Sequence, residues 1–183
     1  MIVMKFGGTS VEDATAIRRL VSIVQQYQNR QPLVVVSAMA KVTNGLLECA
    51  QLAAQGEIVT ALQKLEGLAV RHFTAATELT GSETEKDALF AELQQRFDGL
   101  RVTLEQISAA GQFTPQFSDA VSANGELLSS PLVAAAFRAA GVASTCVDIR
   151  PLMRTNDDFS RAAVQFDVAN PRLKSGFVPL LAE

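Results

Sequence analysis

Ile2 to Phe6 is a short, mainly apolar run closed by Gly7-Gly8. That pattern predicts a buried strand followed by a tight turn. Past the turn the period changes. Val11, Ala14, Ile17, Leu20, Val21, Val24 and Tyr27 recur at three- and four-residue steps, which lines one face of a helix. Ser10 is placed to cap that helix, with Asp13 completing a capping-box-like pattern, and Asn29 to Pro32 ends it. Leu33 to Val36 is apolar throughout, as expected of a strand in a parallel sheet covered on both faces. The start of the chain therefore reads as one βαβ unit with a right-handed crossover.

From Thr43 to about Gly111 the pattern is helical, with breaks near Gly56 and Gly81-Ser82. Leu62, Leu65, Leu68 and Ala69 form one stripe, and Leu89, Phe90, Leu93, Phe97, Leu100 and Leu104 another. A further helix is predicted from about Ser118 to Ala140, closed by Gly141. Thr145 to Ile149 reads as a third strand and Val164 to Phe166 as a short fourth. A helical turn is expected over Asn170 to Lys174, then a final apolar strand over Phe177 to Leu181. Strands alternating with helices give an α/β class with a mainly parallel sheet. Ligands of such sheets sit at the carboxyl ends of the strands.

Composition narrows the field. The 183 residues are 48% hydrophobic and 19% charged, with net charge −3 and a pI near 5.3. A soluble globular domain is expected, without the basic face that a nucleic-acid or anionic-membrane partner requires. The amino terminus lacks the long apolar stretch of a signal peptide. Pro131 to Thr145, the most apolar stretch, is broken by Arg138 and too short to span a bilayer. Cys49 and Cys146 show no zinc-site spacing and are expected as reduced, mostly buried thiols, so a cytoplasmic protein is the expectation. His72, the only histidine, is expected to be an ordinary surface or half-buried residue of a helical stretch.

Four segments hold polar residues at predicted strand ends. Lys5-Phe6-Gly7-Gly8-Thr9-Ser10 brings a lysine, two close-approach glycines and a helix start together, a combination suited to phosphate, although by pattern alone a strand–Gly-Gly–helix turn is more often structural. Its order is neither a Walker A loop nor G-x-G-x-x-G. Ser37-Ala38-Met39-Ala40-Lys41-Val42-Thr43-Asn44 follows the second strand and offers small polar groups, although an N-cap at Thr43 also explains it. Asn124-Gly125-Glu126-Leu127-Leu128-Ser129 sets a carboxylate in an apolar helix, where it would suit a substrate ammonium or simply face solvent. Asp148 to Asp157 is a polar loop in which Arg150 and Arg154 are candidate anion ligands.

Together these segments resemble, in order and spacing, the successive motifs of aspartate kinases: Lys5-Phe-Gly-Gly-Thr-Ser-Val, Ser37-Ala through Val42-Thr43-Asn44, Gly125-Glu126 through Ser129, and Met153-Arg-Thr-Asn-Asp157. The first motif sets that family apart from uridylate, glutamate and acetylglutamate kinases of the same fold. Asn124 departs from the histidine or arginine common there, a position read as tuning. The resemblance implies a three-layer αβα sandwich with a mainly parallel sheet, residues 1–183 forming a single substrate-binding lobe. It implies phosphoryl transfer from ATP, with Mg2+, to the β-carboxylate of L-aspartate. Lys5 would be catalytic and would bind phosphate with Gly7, Gly8, Thr9 and Ser10; Ser37, Thr43, Asn44 and Glu126 would bind aspartate.

The family's later Thr-Leu-Gly-Arg-Gly-Gly-Ser-Asp motif, nucleotide contacts and ACT domains are not in this sequence. The isolated chain is therefore expected to bind ATP poorly and to turn over little. It is expected to associate with itself or with the remaining half. Two other readings stand beside this one: another amino-acid or carbamate kinase of the fold, and a non-catalytic aspartate-binding module.

Overall fold

The structure, a computed structural model, describes residues 1–181. Contacts divide the chain into two compact units, one ending at Cys146 and one beginning at Val147, and each is described by itself.

The first unit opens with strand β1 (Ile2–Phe6), helix α1 (Ala14–Gln25) and strand β2 (Pro32–Val36). The strands pair in parallel, with Lys5 opposite Val35 and Phe6 opposite Val36. This is the expected βαβ unit. Met4, Phe6, Val34 and Val36 pack against the core. On the other face Val3 is 59% exposed and Val35 42%, so within the described residues the sheet is not covered on both sides.

Ser10 does not cap α1. Gly8–Val11 wind as a 3-10 turn, closed by Ser10 N–H to Gly7 O at 2.9 Å. The helix begins at Ala14, where the Asp13 carboxylate accepts from Ala16 N at 2.8 Å. An anionic cap opposes the positive end of the helix dipole, which favours Asp13 over a serine hydroxyl.

Three helices follow: α2 (Val42–Ala54), α3 (Ile58–Leu79) and α4 (Glu83–Ala110). The breaks lie where the glycines predict them, Gly56 at φ 85 before α3 and Gly111 at φ 61 closing α4. The Leu89–Leu104 stripe of α4 packs into the core with Leu65, Ala69 and Leu79 of α3. His72, expected at the surface or half-buried, is instead fully buried there, on the face of α3 that meets α4. Its Nδ1–H donates to Leu68 O at 2.7 Å, its ring meets Phe97 edge-on at 5.5 Å, and its Nε2 has no hydrogen-bond partner among the described residues.

The single helix expected over Ser118–Ala140 is two, α5 (Pro115–Ser122) and α6 (Asn124–Ala139). Thr114 caps α5, with Pro115 at its first position. At the junction Asn124 Nδ2 donates to Ala120 O at 2.8 Å. An asparagine side chain competes there for a carbonyl of the preceding turn.

In the second unit the short fourth strand reduces to one antiparallel bridge, Thr155 with Val164. Helix α7 (Phe166–Gly176) covers the expected turn at Asn170–Lys174. The final strand is instead a 3-10 turn at Val178–Leu181. Thr145–Ile149, at the junction of the units, forms no strand. An apolar run becomes a strand only when a neighbouring edge offers hydrogen-bond partners, and Pro179 removes one donor from the last run.

Candidate functional site

Two loops leave the carboxyl ends of β1 and β2 side by side. Ser37 N–H donates to Phe6 O at 3.1 Å and Ala40 N–H to Gly8 O at 3.1 Å. Gly8 suits the closeness of the loops: a Cβ there would lie 3.0 Å from Ala38 O, a tight contact against backbone. At Gly7 a Cβ would meet nothing within 4 Å, which leaves that side of the loop open. Lys5 is exposed near the end of β1, and no ion pair holds its ammonium among the described residues.

The second loop is tightly set. Ala38 and Met39 are buried, whereas Lys41 is exposed and lies at φ 68. That left-handed conformation is unfavourable for a residue with a Cβ, and strain of this kind clusters at functional sites. Lys41, not Thr43, stands at the N-cap of α2. Thr43 lies in the first turn, half-buried, and its Oγ1 faces Gly125. Asn44 is exposed beside it.

The start of α6 closes the third side. Because α5 and α6 are separate, Glu126 falls in the first helical turn, where the dipole favours a carboxylate. Glu126 Oε1 accepts from Ala38 N at 3.2 Å, yet the residue remains exposed. Buried Ser129 donates to Ser37 O at 2.8 Å. The carboxylate is thus fixed beside the loop while keeping acceptor capacity for a ligand.

Three of the four sequence segments therefore meet at one place. The fourth belongs to the second unit, where Arg150 is held by the Asp148 carboxylate through Nε at 2.9 Å and Nη2 at 2.6 Å. That hydrogen-bonded pairing raises the Arg150 pKa further and occupies its donor fork. Arg71 of α3 is a residue that sequence reasoning missed. It donates to Ala40 O at 2.7 Å and to Glu12 O at 2.6 Å. Standing between Val70 and His72 in a helical stretch, it carried no motif signal.

This arrangement has counterparts. The family model described as the amino acid kinase family matches residues 1–183. The chain belongs to the amino acid kinase family. Within it the chain is similar to lysine-sensitive aspartokinase 3 of Escherichia coli, 33% identical over 97% of this chain and 39% of that protein. It is also 33% identical to the chloroplastic bifunctional aspartokinase/homoserine dehydrogenase 1 of Arabidopsis thaliana, over 82% of this chain and 16% of that one. The chain thus spans well under half the length of either relative. A crystal structure of E. coli aspartokinase III with lysine and aspartate superposes with a TM-score of 0.87 at 30% identity, covering 100% of this chain and 39% of that one. A second, with aspartate and ADP, gives the same score and covers 38% of its chain. The αβα amino acid kinase fold read from the sequence is the fold of this chain, and it resembles the aspartokinases among the family's kinases.

Proposed function

We propose that this chain is the substrate-binding lobe of an aspartate kinase, with residues 1–183 forming one amino acid kinase lobe. The reaction is transfer of the γ-phosphoryl group of ATP to the β-carboxylate of L-aspartate, giving 4-phospho-L-aspartate. The observation that carries this reading is Glu126, an exposed carboxylate anchored through Ala38 N–H at the meeting point of both strand-end loops. It is suited to the α-ammonium of an amino acid.

Phosphoryl transfer needs positioning and charge neutralisation more than covalent chemistry. Lys5 supplies the positive charge for the phosphoryl group in flight. Gly7, Gly8 and Thr9 supply backbone N–H groups to the phosphates, with open space beside Gly7. Ser10 contributes its hydroxyl, since its N–H is given to Gly7 O. Ser37 lies beside the acceptor carboxylate, and Thr43 and Asn44 help hold aspartate at the start of α2. The magnesium ion would be held by the ATP phosphates and would neutralise their charge, the usual mode for a cation that keeps several waters. The uncovered apolar face of Val3 and Val35 supports association with a second copy or with the rest of a longer kinase.

Calorimetric titration of the purified chain with L-aspartate, with and without Mg-ATP, tests this. Saturable binding that weakens at least tenfold in Glu126→Ala is expected. Binding of equal strength in that variant, or none in the native chain, would overturn the assignment of the aspartate pocket to these residues.

A further inference from the structure

Beyond Ser37 N–H to Phe6 O, the last bond of the ladder, one backbone hydrogen bond among the described residues joins the loops after β1 and β2, Ala40 N–H to Gly8 O at 3.1 Å. Arg71 supplies the rest from outside. Its side chain rises from α3 with Nη1 on Ala40 O at 2.7 Å and Nη2 on Glu12 O at 2.6 Å. One guanidinium therefore grips a carbonyl of each loop, between residues 8–12 on one side and 37–41 on the other. Among the described residues no carboxylate lies within ion-pair distance of it. Its charge is met by carbonyl dipoles, and such bonds are stronger than neutral ones.

The loop it grips is the strained one. Lys41, next to Ala40, holds φ 68, a conformation that persists only where the surroundings over-determine it. Ala40 is fixed from both ends: its N–H by Gly8 O and its carbonyl by Arg71. Ala38, two residues before, carries the N–H that anchors Glu126.

We propose that Arg71 is a positioning residue: it locks the two strand-end loops at one separation and so sets the distance between the phosphate loop and Glu126. Its functional consequence rests on the aspartate-kinase reading, whereas its mechanical role does not. Lysine cannot replace it, because one ammonium presents no planar fork to two separate carbonyls.

The test is hydrogen exchange by mass spectrometry on the full chain and on Arg71→Met and Arg71→Lys. Peptides covering residues 8–13 and 37–44 are expected to exchange about tenfold faster in both variants, with the α4 amides around Leu93 and Leu100 unchanged. L-aspartate affinity is expected to fall about tenfold in both. Unchanged loop exchange, or an equal rise across α4, would overturn positioning. Native loop exchange and affinity in Arg71→Lys would show that charge suffices and would also overturn it. If the native chain binds no aspartate, the aspartate-kinase reading of this chain fails, and the exchange result still decides whether Arg71 locks the loops.

Discussion

Gly125 of α6 stands against Ala38 of the loop after β2, where a Cβ would lie 2.7 Å from Ala38 Cβ and 3.0 Å from Thr43 Oγ1. No real side chain fits at that separation, so the first turn of α6 approaches the loop only because residue 125 is glycine. Glu126 reaches Ala38 N–H through this contact. Gly125→Ala gains about 1 kcal/mol of helix propensity but meets an overpacking cost of about 1–3 kcal/mol. Net destabilisation in urea titration and weaker aspartate binding are expected.

Gly99 makes the contrast. It lies within α4, exposed, and a Cβ there would meet nothing within 4 Å. Gly99→Ala is expected to stabilise the chain by about 0.5–1 kcal/mol, read from the same titration. Equal effects at the two glycines would mean that α6 does not sit against the loop as described.

Ser129 is buried and ties α6 to β2's end by donating to Ser37 O at 2.8 Å. Ser129→Ala leaves that carbonyl without its partner, at a cost of about 1–3 kcal/mol. A shift in the urea midpoint without a change in slope is the expected result.

His72 makes stability depend on pH. Burial lowers its pKa from the usual 6.5, outweighing the bond to Leu68 O. A protonated ring would place an unpartnered Nε2–H in the core. The folded state thus binds this proton less readily than the unfolded state. No penalty applies above pH 6.5. It grows as pH falls below 6.5, until the lowered folded pKa is reached, and is constant below that. His72→Phe should flatten the difference in urea midpoint between pH 8 and pH 5. A difference as large as that of the native chain would show that other groups cause it.

The two thiols should differ in reactivity. Burial pushes the Cys49 thiol up to about 11, against the lowering effect of Lys64, whereas Cys146, expected to be buried as well, is exposed. A thiolate is the reacting species. One thiol per chain should react with an aromatic disulfide reagent at pH 8, and both in urea. Two fast thiols in the folded chain would contradict the burial of Cys49.

Much of the site was legible because its parts are local. Lys5-Phe6-Gly7-Gly8 and Ser37–Asn44 follow apolar runs short enough to be strands, and a strand's end is visible in sequence. Glu126 was visible as a charge among leucines, but its place in the first turn was not. That depends on Asn124 taking the Ala120 carbonyl and dividing one apolar pattern into α5 and α6. The spacing to Asp13 points to Ser10 as the cap, whereas Asp13 itself caps α1.

The sequence by itself determined the βαβ start, the helices α2 to α4 and their glycine breaks, because period and backbone freedom are properties of neighbouring residues. Tertiary structure decided which apolar runs became strands, since Thr145–Ile149 and Phe177–Leu181 needed an adjacent edge that no periodicity reports. It also decided that Arg71 grips Ala40 and Glu12, and that Gly125 meets Ala38. Those contacts join residues far apart in the chain, and only packing fixes the distance between them.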